Sequence, residues 1–237
     1  MLWIFPDLET LSRAAAALFI RQAQRAIRRS GRFVVALSGG QTPRRTYEWL
    51  AHPVCRNTVE WEAVYVFWGD ERCVPLEDPR SNARMACEAL LNHVPIPPDH
   101  IHPIVCEGDP AAAAVRYEAV LRRFFGEGPP RFDLVFLGLG EDGHTASLFP
   151  FHPDLEERTR WVVEVEGTLP PRVTLTFPAL NQARRVAFLV SGASKAEILK
   201  EVLRGPVDPR RRPAQGIRPA AGRVLWLVDR GAASRLE

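Results

Sequence analysis

Five apolar runs rich in β-branched residues mark the chain: FVVALSGG (33–40), VYVFWGD (64–70), FDLVFLGLG (132–140), RRVAFLVSG (184–192) and RVLWLVD (223–229), each closed by Gly, Ser or Asp. Short runs in which apolar residues do not alternate with polar ones predict strands buried on both faces, the condition of a parallel sheet. Between them lie helical patterns at 8–29, 42–51, 81–94, 110–125 and 193–205. Strand alternating with helix predicts an α/β fold: an open, mostly parallel sheet flanked by helices. WVVEVEG (161–167) and RVTLTFPAL (172–180) add a local antiparallel pair. Proline-rich stretches at 94–103 and 205–219 look like linkers. Strand patterns continue on both sides with unchanged composition, so residues 1–237 read as a single domain.

Bulk properties narrow the function classes. A length of 237 residues with 46% hydrophobic content suits a sizeable core. The net charge is +3, too small to argue for nucleic acid, and the basic residues look scattered along the chain. They are nearly all arginine, Lys195 and Lys200 being the only lysines. The N-terminal segment has no uncharged stretch near membrane-spanning length, and Pro6, Asp7, Glu9 and Arg13 interrupt any signal core. The expectation is a cytoplasmic protein without membrane or nucleic-acid partners, a monomer or small homo-oligomer. Cys55, Cys73, Cys87 and Cys106 contain no C-x-x-C pair, which predicts reduced thiols.

Gly138, Gly140 and Gly143 spell G-x-G-x-x-G directly after an apolar run, the fingerprint of a Rossmann-type dinucleotide site. Glu164 and Glu166 fall about 20 residues further on, as that fingerprint expects. The required helix is missing from the pattern, because Pro150 and Pro153 break any helix long enough to cross a sheet. Glu141 and Asp142 would also oppose a pyrophosphate with like charge. The fold is therefore read as Rossmann-like without a dinucleotide, and the D-G-H triplet needs another explanation.

Open α/β sheets bind ligands just outside the carboxyl ends of their strands, so each end is read for chemistry. The first offers Ser38, Gly39 and Gly40, then Thr42 as helix N-cap with Pro43 behind it: a phosphate cradle without the P-loop lysine. The second ends in Asp70, Glu71 and Arg72, which taken alone read as a solvated loop. The fourth ends in Ser191 and Gly192 and places Lys195 in the first turn of a helix, where a cation opposes the helix dipole. Such a lysine suits an anionic ligand, and Arg172, at a strand start, offers a bidentate clamp. His93, His100 and His102 around a proline-rich loop are weak metal candidates. Arg210, Arg211 and Arg212 read most simply as a solvated loop.

The ordered set SGGQTP, WGDER, SNARMA, GLGEDGHTASLFP, PRVTLT, SGASKAE and VLWLVD resembles the 6-phosphogluconolactonases, within the larger group that includes glucosamine-6-phosphate deaminases. The resemblance spans about Ser38 to Ala233. It implies a deaminase/lactonase-type fold and hydrolysis of 6-phosphoglucono-1,5-lactone in the pentose phosphate pathway, with no metal or organic cofactor. Lactone hydrolysis needs a base for the attacking water, stabilisation of the oxyanion and a proton for the ring oxygen. His144 is the natural base, since an unperturbed histidine titrates near about 6.5. Asp142 or Asp70 would orient the imidazole or bind sugar hydroxyls, and Arg72 would meet developing negative charge. Ser38, Gly39, Gly40, Thr42, Arg172 and Lys195 would hold the phosphate.

The deaminase site resembles D-G-H-I-A-F-N-E, with a glutamate five residues after the histidine. Phe149 stands at that position here, a departure that favours the lactonase. A sugar-phosphate-binding regulator without chemistry is the other alternative, and it would not need His144, Asp70 and Asp142.

Overall fold

The computed structural model describes every residue except Glu127 and Glu237. Its strands are β1 (Leu2–Phe5), β2 (Phe33–Leu37), β3 (Val64–Trp68), β4 (Asp70–Arg72), β5 (Ile101–His102), β6 (Leu134–Leu137), β7 (Val162–Val165), β8 (Arg172–Leu175), β9 (Arg185–Val190) and β10 (Arg223–Asp229). Helices are α1 (Leu8–Ser30), α2 (Gln41–Ala51), α3 (Pro53–Arg56), α4 (Asn82–Ala89), α5 (Pro110–Phe125), α6 (Phe177–Leu180), α7 (Ala196–Arg204) and α8 (Arg230–Ala233). Seven strands form one parallel sheet in the order β1-β10-β9-β6-β2-β3-β5. The predicted antiparallel pair forms as β7 with β8, and β4 joins β8 to complete a second, three-stranded sheet.

Burial follows the patterning. Every residue of β2 and β6 is buried, as central strands covered on both faces require. Helix α1 turns Leu11, Ala15, Leu18, Phe19 and Ala26 inward, and its ends are fixed locally. Asp7 and Thr10 close a capping box at the start, and Gly31 supplies the left-handed residue at the end, with φ +71°. Phe19 meets Phe33 edge to face at 5.0 Å and lies against Phe136 at 6.4 Å, joining helix to sheet.

Several expectations are corrected. The N-terminal LWIF, to which the sequence patterning assigns no element, is an edge strand paired with β10. The pattern at 81–94 divides into α4 and a separate 3₁₀ turn at Leu91–His93. Cys73 and Cys106 are joined in a disulfide, leaving Cys55 and Cys87 free. The two partners lie 33 positions apart, and the fold brings them together through the ends of β4 and β5, a proximity that local spacing does not encode. His100 and His102 stack on Tyr65 and Phe67 at 3.8 and 4.5 Å, which gives both rings a packing role. Arg212 is buried and holds Glu201 through Nε and Nη2, both at 2.7 Å, so the solvated-loop reading fails for it while Arg210 and Arg211 are exposed. Among the described residues no helix is long and apolar enough to cross a membrane.

Truncating a fully buried aromatic costs its transfer energy and leaves a cavity. Phe19→Ala is expected to lower the unfolding free energy by about 3–5 kcal/mol in urea titration, and a loss below about 1 kcal/mol would contradict its place in the core.

Candidate active site

From β2 the chain passes through α2 to β3 on one side of the sheet, while β6 is followed in the sheet by β9 on the other. The switch point therefore lies between β2 and β6, where the loops leaving the two strands diverge and open a crevice. A cleft of about 400 Å³ occupies it. Ser38, Gly39, Gly40, Thr42, Asp70, Arg72, His144, Arg172 and Lys195 all line this cleft. Asp142 does not line it; it contacts the imidazole of His144 instead.

The loop after β2 is held from behind. Tyr47, fully buried, accepts from the Ser38 backbone N–H at 3.0 Å and donates to the Ser38 carbonyl at 2.9 Å. Gly40, at φ +101°, takes a conformation that favours glycine, and it is the helix cap, with Thr42 already inside the first turn. The Thr42 N-cap expectation is thus corrected: α2 has no side-chain cap, so its first N–H groups remain available to an anion. Gly39 has a separate reason, since a Cβ there would fall 1.8 Å from Asn82 Oδ1.

The sequence assigns no site role to Asn82 or Glu71. Asn82 donates to the Asp70 carbonyl at 2.9 Å, and its Oδ1 accepts from Arg72 Nη1 at 2.6 Å. Glu71, read as part of a solvated loop, is only 1% exposed. Its carboxylate accepts backbone N–H groups of Arg72, Asn82 and Ala83 at 2.8 Å each, and the Ser81 hydroxyl at 3.0 Å. Burial pushes the Glu71 carboxyl up, and those four donors oppose the shift. The carboxylate thereby joins β4 to the start of α4 and fixes Asn82 beside the glycine loop. Asp70 accepts from Ser147 Oγ at 2.6 Å.

Arg72 and Arg172 stand directly opposite each other in the β4–β8 ladder. Like charges in that relation repel, and Arg172 Nε is buried with no partner among the described groups. Burial, followed by the effect of Arg72, pushes the Arg172 guanidinium below its usual range, while Asp70 works the other way. Lys195 ends a 3₁₀ turn and caps α7 rather than lying inside a regular first turn, with Nζ 3.8 Å from Glu141.

The D-G-H turn after β6 is compact. No regular helix follows it, and Gly143 sits at φ +89°. His144 Nδ1 lies 2.6 Å from Asp142 Oδ1, which also accepts the His144 backbone N–H at 3.0 Å. Burial alone would raise Asp142, but the bonds and charge of His144 outweigh it and bring its carboxyl below the usual value. Gly140 leaves room for the ring, because a Cβ there would fall 2.0 Å from Nδ1. Phe149 covers the imidazole, with ring centroids 4.6 Å apart. Nδ1 is thus occupied by a carboxylate outside the cleft, and Nε2 is the nitrogen left for a ligand.

The fold is α/β, and the candidate site lies at the carboxyl edge of its parallel sheet. A family model described as glucosamine-6-phosphate isomerases/6-phosphogluconolactonase matches residues 6–226, and the chain belongs to that family. A 6-phosphogluconolactonase of Synechocystis sp. is 45% identical over 216 residues, covering 90% of this chain and 88% of that protein. One of Nostoc sp. is 39% identical over 237 residues, covering 98% and 97%. The solved 6-phosphogluconolactonase of Trypanosoma brucei superposes with a TM-score of 0.84 at 31% identity, covering 100% of this chain and 98% of that one.

Glu71→Ala would strand several buried backbone N–H groups, each costing about 1–3 kcal/mol. The expected loss of unfolding free energy is about 3 kcal/mol or more by urea titration, and a loss under about 1 kcal/mol would show that Glu71 does not hold the start of α4.

Proposed function

We propose that the protein hydrolyses 6-phospho-D-glucono-1,5-lactone to 6-phospho-D-gluconate, the lactonase step of the pentose phosphate pathway, with His144 as general base. The observation that carries this reading is the His144–Asp142 contact at 2.6 Å on the rim of a cleft whose other loops offer an anion cradle. The identity to lactonases over most of the chain supports the same substrate.

Asp142, ionised at neutral pH, accepts only, so the Nδ1 proton is directed toward it and Nε2 carries the lone pair. A water beside Nε2 gives its proton to the imidazole as its oxygen attacks lactone carbon C1. The carbonyl oxygen gains negative charge, the bond from C1 to the ring oxygen breaks, and the imidazolium returns the proton to that oxygen. The acid product then loses a proton to solvent. The substrate phosphate sits on the Gly39–Thr42 turn, flanked by Arg72 and Lys195. Arg172, whose guanidinium carbon lies 5.3 Å from the centroid of the Phe149 ring that covers the imidazole, meets the developing oxyanion. Relative to the sequence-level expectation, Arg72 and Arg172 exchange roles, because Arg72 is tied through Asn82 to the glycine loop. Asp70, bonded to Ser147 rather than His144, is left for sugar hydroxyls.

Phe149 also argues against an aldose–ketose isomerisation. An apolar ring covers the imidazole where that reaction would place a carboxylate.

His144→Ala should lower kcat on fresh lactone by about 10²- to 10⁴-fold, the usual worth of a general base, with little change in KM; near-wild-type turnover would remove His144 from that role. Lys195→Ala should raise KM for the phosphorylated lactone while leaving unphosphorylated gluconolactone unaffected. Equal effects on both substrates would place Lys195 outside the phosphate site.

A further inference from the structure

The amino edge of the main sheet carries charge for which the cleft at the carboxyl edge has no use. Arg21, Arg25 and Arg29 recur every four residues along α1 and therefore share one stripe of the helix. Arg184 precedes β9 and Arg185 opens it, Arg223 opens β10 in register with Arg185, and Arg131 precedes β6. Basic residues that look scattered in the sequence are thus gathered by the fold, a correction to the reading from composition. Like charges four residues apart destabilise a helix, and here they also face the arginines of a neighbouring layer.

Acidic partners do not account for the cluster. Asp133 accepts from Arg29 Nη2 at 2.5 Å and from the Val34 backbone N–H at 3.0 Å, with Arg184 Nε at 3.4 Å. Its carboxylate is fully engaged. Arg185 Nε is buried without a partner among the described residues, and the charges that bear on its guanidinium are those of Arg25, Arg223 and Arg21. Burial, followed by those three cations, pushes the Arg185 guanidinium below its usual range; burial, then Arg29 and Arg131, does the same to Arg184. A cavity of about 210 Å³ opens between Gln22, Arg25, Arg29, Asp133, Arg184 and Arg185. Among the described residues Asp133 is the only acid lining it, in a chain whose whole net charge is +3.

We propose that this pocket, between α1 and the amino ends of β6 and β9, binds a polyphosphate group. Guanidinium forks match phosphate oxygens two at a time, and arginines from α1 and β9 converge on one cavity. A single phosphate would leave most of the cluster uncompensated, whereas linked phosphates can reach several guanidiniums together. At about 210 Å³ the cavity is sized for a short phosphate chain, and in the proposed complex a nucleoside attached to that chain would remain in solvent. Free inorganic polyphosphate and a nucleoside triphosphate therefore present the same recognised chemistry.

Isothermal titration of the intact protein with inorganic tripolyphosphate and with ATP tests this. Arg25→Gln/Arg185→Gln is compared with Lys195→Ala, and lactone turnover is measured alongside. The wild type is expected to bind both ligands with similar affinity; the double variant weakens binding about tenfold or more while keeping wild-type turnover, and Lys195→Ala changes it by less than about twofold. Arg25→Gln alone, on the exposed face of α1, gives the same direction of change if the double variant fails to fold. Absence of tripolyphosphate binding by the wild type, binding of ATP alone, or loss of binding in Lys195→Ala but not in the arginine variants would overturn the proposal.

Discussion

A parallel sheet buried on both faces allows almost no polar chemistry along its strands. Polar side chains that must meet a ligand are confined to the strand ends. In this chain β2 and β6 are buried at every residue, so the residues that follow them carry the site. Where the strand order turns between those two, the departing loops separate, and the space they leave becomes the cleft. The Gly39–Thr42 turn, the Asp70–Arg72 strand and the D-G-H turn reach one cavity because each follows a neighbouring strand of the sheet.

Two carboxylates then impose order from behind. Glu71 draws backbone N–H groups from β4 and from the start of α4 to one buried point, and thereby presses Asn82 against the glycine loop. Asp142 does for the imidazole what Glu71 does for the backbone, accepting both the ring and the main-chain N–H of His144. In the proposed mechanism neither carboxylate touches substrate. Each removes conformational freedom from a group that does, which is how a half-buried histidine on a turn can be held in a productive orientation.

Much of this was legible in the sequence, and the failures share a cause. Continuous apolar runs named the strands β2, β3, β6, β9 and β10, because burial on both faces is a local composition. Prolines after Gly143 excluded a dinucleotide helix, and glycine with DGH pointed to the turn that brings His144 to the cleft. Where meaning depended on distant partners, the reading failed. Glu71 reads as a solvated charge until Ser81, Asn82 and Ala83 arrive from α4 to surround it. Cys73 and Cys106 look like isolated thiols, and the arginines of α1 look scattered until β9 and β10 bring others beside them. The LWIF segment was missed because an edge strand with half its residues exposed carries no continuous apolar signal. Thr42 was mistaken for a cap because a glycine at φ +101° does that work without a side chain.

The central claim is that the cleft hydrolyses a phosphorylated δ-lactone. Its most direct measurement gives purified protein freshly generated 6-phosphogluconolactone, subtracts spontaneous opening, and runs glucosamine 6-phosphate in parallel. The account predicts rapid formation of 6-phosphogluconate from the lactone and no ammonia from the amino sugar. Ammonia release without acceleration of lactone opening would contradict it.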